Sequence, residues 1–118
     1  MTKRTKKDFG RHYLIEFIKC DPARIKRVKD VKRFFLKAAR ESRASIIQHF
    51  FYQFKPHGVS GVILIEESHF TVHTWPEDGY VGWDIQTCGK MYPERAIRSF
   101  KKDLRAQKVK IVVVKRGP

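Results

Sequence analysis

Apolar and polar positions alternate loosely over residues 13–19, a segment rich in Ile, Phe and Tyr, which predicts a strand with one buried face. Asp21 and Pro22 follow as an N-cap and a proline at the first helical position, so the periodicity predicts a helix from there to about Ser42. Its apolar stripe is Ile25, Val28, Val31, Phe35, Leu36 and Ala39, with Lys and Arg on the opposite, solvated face. Residues 44–54 are β-branched and aromatic and read as a strand that the Lys55-Pro56-His57-Gly58 run ends. Two more strands, 59–65 and 70–75, flank the short acidic link 66–69 and so predict a hairpin. A turn at Pro76-Glu77-Asp78-Gly79 leads into a strand over 80–87. Pro93 opens a second helix to about Gln107, with Ile97, Phe100 and Leu104 inward, and 109–114 forms the last strand.

The resulting order, β-α-β-β-β-β-α-β with short links, predicts an α+β two-layer sandwich: a mainly antiparallel sheet with both helices on one face. Several strands are apolar on both sides. The helix-free face is therefore expected to be covered by a second copy, giving a homodimer of four αββα layers. The 118 residues suffice for one domain, 9–118, preceded by a basic arm at 1–8.

The charge changes this picture. The chain has 26 Lys plus Arg against 12 Asp plus Glu, yet the 34 residues 56–89 contain no Lys or Arg and five acids, Glu66, Glu67, Glu77, Asp78 and Asp84. The basic flanks, above all Thr2-Lys3-Arg4-Thr5-Lys6-Lys7, suit phosphate and leave an RNA-associated binding module as a reading from another class. The acidic middle suits a small cationic molecule. The longest segment without Asp, Glu, Lys or Arg, 44–54, is shorter than the roughly 18–20 residues of a membrane span, and 9–20 has no apolar signal-peptide core, so a cytoplasmic protein with no membrane partner is expected. Cys20 and Cys88 are the only cysteines, without zinc-site spacing, and no metal is expected.

Strand alternation puts Ser60, Val62 and Leu64 on one face, His69, Thr71, His73 and Trp75 on one face of the next strand, and Asp84, Gln86 and Cys88 on one face of the fifth. A Cys–His hydrolase built on Cys88 and His73 is one reading. Each residue also has a plain structural one: Cys88 as a small buried hydrophobe, His73 as a hydrogen-bonded sheet residue, Ser60 as a turn residue.

Three motifs in order decide between them: Pro56-His57-Gly58-Val59-Ser60-Gly61-Val62, Glu67-Ser68-His69-Phe70-Thr71-Val72-His73-Thr74-Trp75-Pro76-Glu77, and Thr87-Cys88-Gly89. With Gly10-Arg11-His12 through Cys20-Asp21, the chain resembles the prokaryotic S-adenosylmethionine decarboxylases over about residues 9–114. The resemblance implies a self-processing enzyme of polyamine biosynthesis whose cofactor is a pyruvoyl group generated from Ser68. It implies that Ser68 attacks the carbonyl of Glu67, cutting the chain into a β chain, 1–67, and an α chain, 68–118. It assigns His73 to proton abstraction during cleavage, Ser60 to its support and Cys88 to protonation of the substrate carbon. Phe54 matches a residue that stacks on adenine, Glu77 one that binds ribose hydroxyls, and Trp75 a pocket wall. The expected chemistry is a Schiff base between pyruvoyl and substrate amine that drains the carbanion charge as carbon dioxide leaves.

Relatives with the same machinery that act on arginine or ornithine supply the alternative substrates, since Ser68, His73 and Cys88 do not choose among cationic amino acids. The chain departs from the family's usual pattern at Trp83 and Gln86, and Gln86 shares a strand face with Cys88. Active sites shared across the homodimer, and assembly beyond a dimer, belong to the same expectation.

Overall fold

The computed structural model describes residues 9–66, 68–87 and 91–118. The arm at 1–8, Glu67 and Cys88 lie outside the described residues. The strands are β1 (Arg11–Ile18), β2 (Ile46–Gln53), β3 (Val59–Ile65), β4 (Ser68–Trp75), β5 (Tyr80–Thr87) and β6 (Lys108–Lys115); the helices are α1 (Val28–Glu41) and α2 (Pro93–Leu104). All neighbouring pairs are antiparallel, in the spatial order β2-β3-β4-β5-β1-β6. The predicted element order and two-layer α+β architecture are what the structure has. The Lys- and Arg-free segment forms β3, β4 and β5, three adjacent strands in the middle of the sheet.

The helix expected from Pro22 to Ser42 is interrupted. A 3-10 turn, Pro22–Arg24, takes the Asp21 cap as expected, with Ala23 N–H donating to the Asp21 carboxylate at 3.0 Å. Arg27 is then extended, and α1 starts at Val28. Tertiary partners cause the break. Thr74 donates to the Ile25 carbonyl at 2.8 Å, while Gly58 N–H at 3.0 Å and the Gln53 amide at 2.9 Å share the Lys26 carbonyl, so these acceptors are diverted from helical amides. Gln53 Oε1, reaching over from β2, accepts the Val28 N–H at 2.6 Å and replaces the side-chain cap that Arg27 cannot supply.

α1 buries Val31, Phe34, Phe35, Ala38 and Ala39, and α2 buries Ala96, Ile97, Phe100 and Leu104, all against one face of the sheet. α2 ends three residues before the expected Gln107, at Leu104, because Arg105 turns left-handed (φ 54°) and closes the helix with its N–H on the Lys101 and Lys102 carbonyls. Trp83 is the hub of the core. Its ring lies 5.0 Å from Phe100, 5.4 Å from Phe35, 5.6 Å from Phe17 and 5.8 Å from Phe70, centroid to centroid. The Trp83 departure is thus a core substitution facing the helices. Cys20 is buried too, and burial pushes its thiol up to about 12.

Candidate active site

The other face of the sheet has no helices over it. The register sorts its side chains into rows that cross all or most of the strands. One row reads Val114, His12, Gln86, His69, Leu64, Gln48, and the next Val112, Leu14, Asp84, Thr71, Val62, Phe50. The third reads Lys110, Glu16, Gly82, His73, Ser60, Tyr52. Tyr80 opposite Trp75 lies beyond it. Apolar side chains therefore crowd the two margins, where Phe50, Val62, Leu64, Leu14, Val112 and Val114 are all exposed. Polar and ionisable groups fill the middle.

At the Trp75 end, Ser60 and His73 face one another across β3 and β4, with Oγ 2.8 Å from Nδ1. A hydroxyl there fixes the imidazole's orientation and leaves Nε2 for proton transfer. Gly82, opposite His73 on the other side, has no side chain to cover the ring. The His73 ring is tilted against Trp75 with centroids 6.2 Å apart, and Trp75 against Tyr80 at 5.4 Å. Burial raises the Tyr80 pKa, and its hydrogen bond to the Glu16 carboxylate raises it further.

Phe54 stands on the same end, its ring 4.8 Å from Tyr52 and its N–H donating to Gly58 at 2.8 Å. Gly58 (φ 110°) occupies a conformation that side chains rarely adopt, and the turn that presents Phe54 depends on it. Glu77 sits on the 3-10 turn after β4, exposed, with Oε1 3.3 Å from His57 Nε2. Ser60, His73, Phe54, Trp75 and Glu77 thus lie at the same end of the sheet, with two aromatic rings and an exposed carboxylate that meets His57.

Ser68 is not among them. It opens β4 five residues before His73, about 16 Å along an extended strand, and opposite Ile65. It is buried on the helix side with Phe70, Val72 and Thr74, whereas His73 lies on the open side. Its Oγ has no hydrogen-bond partner among the described residues. The hairpin link expected to span 66–69 is two residues shorter, because Ser68 and His69 already pair with Ile65 and Leu64. Of the residues that alternation placed on shared faces, Ser60 and His73 do meet on the open face; Ser68, expected in the link, lies on the helix side, and Cys88 and the Glu67 cleavage position fall outside the described residues.

Periodicity did not single out His12, Asp84, Glu16 and Tyr80 as a polar cluster. Asp84 accepts from Thr71 at 3.3 Å and lies 3.9 Å from His12 Nε2. Gln86 stands between His12 and His69 and donates to the Phe9 carbonyl at 3.3 Å. Their strands are distant in sequence, and only the insertion of β1 between β5 and β6 makes them neighbours.

The fold and this face define a class: a two-layer α+β domain whose helix-free sheet face holds a Ser60–His73 pair at one end and His12, Asp84, Gln86 and His69 towards the other. Residues 11–117 match the family model described as S-adenosylmethionine decarboxylase, and the chain belongs to that family. The S-adenosylmethionine decarboxylase proenzyme of Thermotoga petrophila is 44% identical over 94% of this chain and 86% of its own length. That of Pyrococcus abyssi is 40% identical over 92% and 78%. The crystal structure of the adenosylmethionine decarboxylase from Aquifex aeolicus superposes with a TM-score of 0.86 at 33% identity, covering 96% of this chain and 94% of the other.

Proposed function

We propose that the chain is a self-processing S-adenosylmethionine decarboxylase of polyamine synthesis whose active sites form between two copies. The decarboxylase activity follows from family membership. The division of labour is our reading, and one observation carries it: Ser60, His73, Phe54, Trp75 and Glu77 occupy one end of the sheet while Ser68 occupies the other, too far for contact within a chain.

A two-fold axis running between two open faces and across the strands brings the His73 end of one copy to the Ser68 end of its partner. Such an axis lays apolar margin on apolar margin and central column on its own image, the self-complementarity an isologous interface needs. The exposed Phe50, Val62, Leu64, Leu14, Val112 and Val114 then lose water contact together.

In processing, the Ser68 hydroxyl adds to the Glu67 carbonyl as the C–N bond breaks, leaving an ester and a free amine. His73 takes the Ser68 α-proton, the Glu67 carboxylate departs by elimination, and water releases ammonia to leave the new α-chain terminus. The Ser60 hydroxyl holds the His73 ring in place for that transfer. The pyruvoyl group at that terminus supplies an electron sink for the substrate's amine-bearing carbon. Phe54 offers a ring for adenine to stack on, the Glu77 carboxylate accepts from ribose hydroxyls, and Trp75 walls the site. Cys88 is the proposed proton donor to the substrate carbon. A region without Lys or Arg also leaves the substrate's sulfonium and amine unopposed. Among the described residues no helix is long and apolar enough to cross a membrane, and the proposed setting is the cytoplasm. The comparisons give no support to arginine, ornithine or an RNA-binding role.

Co-expression of Ser68→Ala and His73→Ala chains tests the arrangement. A shared site leaves the mixed dimer one intact pair, so the His73→Ala chain is cut after Glu67 in mixed dimers, while neither variant is cut alone. A site contained within one chain gives no cleavage in the mixture and removes the proposal.

A further inference from the structure

The helical layer, on the far side of the molecule from the open face, holds a groove that the decarboxylase chemistry does not use. α1 and α2 run antiparallel there. Tyr92 N–H donates to the Ser42 carbonyl at 2.9 Å where α1 ends and α2 begins, and at the other end the Lys37 ammonium meets the Asp103 carboxylate at 3.2 Å. Between them lies a cavity of about 560 Å³, lined by Lys37 and Glu41 from α1 and by Arg95, Arg98, Ser99 and Lys102 from α2. The four α2 positions follow the i, i+3, i+4, i+7 spacing of a single helical stripe.

Most basic residues on these helices are isolated charges in water. The groove differs in two respects. Four cations line it against Glu41 and the Asp103 partner of Lys37, and Arg98 and Lys102 have no carboxylate partner among the described residues. Ser99 Oγ is shut off from water and lacks any hydrogen-bond partner among the described residues. A buried hydroxyl is normally paired; here Ser99 as a residue lines the groove while its hydroxyl is closed off from the open space.

We infer that this groove binds a compact oligophosphate, a di- or triphosphate group, outside the decarboxylase site. The guanidiniums of Arg95 and Arg98 can each offer two parallel N–H donors to phosphate oxygens, Lys102 adds a point charge, and a turn of the Ser99 rotamer would bring its hydroxyl out as a further donor. The Arg95 guanidinium already sits over the Tyr92 ring, its central carbon 4.2 Å from the centroid, which limits the freedom it would lose on binding. Carboxylates bound the groove at each end: Glu41 towards the α1 C-terminus and Asp103 on Lys37. They would repel a nucleic-acid strand running along the helices but leave room for an anion that stops between them.

The experiment is calorimetric titration of the full chain with inorganic triphosphate at fixed, moderate salt. The expected result is saturable binding at one site per chain, weakened about tenfold or more by the Arg98→Gln, Lys102→Gln double variant. Ser99→Ala should weaken it roughly threefold to tenfold and leave melting unchanged or slightly higher, since it removes an unpaired hydroxyl. Lys32→Gln, an exposed α1 charge outside the groove, should change affinity by less than about twofold. Absence of saturable binding overturns the inference. So does an equal loss in Lys32→Gln, which would mark a diffuse basic field. Tighter binding of a short single-stranded RNA, falling steeply with salt and equally sensitive to every lysine removed, overturns it as well.

Discussion

The two faces of this sheet both carry large apolar side chains and reach opposite ends. On the helix side, Phe17, Phe35, Phe70, Trp83 and Phe100 enclose one another and are withdrawn from water. On the open side, Phe50, Tyr52, Phe54, Val62 and Leu64 remain wet, separated from Leu14, Val112 and Val114 by a column of His, Asp, Gln and Thr. The first pattern is a finished core. The second is an open face whose apolar margins flank polar and ionisable groups, and the difference shows that the apolar content of a strand face does not by itself tell whether helices cover it.

The sharpest break in that comparison is chemical. Ser68→Ala should abolish chain cleavage and decarboxylation entirely while leaving the fold intact, read as a single uncut mass and an unchanged circular dichroism spectrum. The two faces themselves are compared by one substitution made twice. Phe35→Ala, in the closed core, should cost about 3–5 kcal/mol of folding stability, a large share of the roughly 5–15 kcal/mol a domain has, and lower the melting temperature sharply. Phe50→Ala, on the open face, should cost the isolated fold less than about 1 kcal/mol. Equal losses would mean that the open face is closed in some other way.

Phe50→Asp should act on assembly. A carboxylate set into the apolar margin should raise the dimer dissociation constant about a hundredfold and take turnover with it, seen by sedimentation alongside the decarboxylase assay. A variant that stays monomeric yet cleaves and turns over at the wild-type rate would overturn the shared site.

The smallest effect concerns Cys20. Its folded-state value, pushed up to about 12, lies above that of an unfolded thiol, so the folded state holds the proton more tightly. Its contribution is complete below the unfolded value and is lost as pH rises from there to about 12. Urea unfolding should therefore show stability declining in that window, by at most about 1.4 kcal/mol per pH unit from this group, and Cys20→Ala should flatten the decline. The same burial leaves Cys20 unlabelled by a thiol reagent in the folded protein at neutral pH.

Much was written locally in the chain. The alternation over β3 and β4, the prolines at 22 and 93 and the Pro76–Asp78 turn each specify conformation through neighbours in sequence, and the elements formed where those signals stand. The motif around Ser68 likewise identified the family without reference to space. The break in the first helix was not legible, because its cause is Gln53, Gly58 and Thr74, residues 25 or more positions away that take the backbone groups of residues 25, 26 and 28. Nor could the chain show that Trp83 faces the core, since strand parity says which residues share a face and leaves open which face the helices cover.

By itself, then, the sequence determined the elements, their order and the reactive side chains, all properties of short-range geometry and of residue chemistry. Only the tertiary structure decided that β1 enters between β5 and β6, and so assembles the His12, Glu16 and Asp84 column. It also decided that the helices cover the Ser68 face of β4 and leave the His73 face open. The physical reason is that a strand's period of two fixes relative facing, whereas strand order and helix placement depend on which apolar surfaces meet across the whole domain.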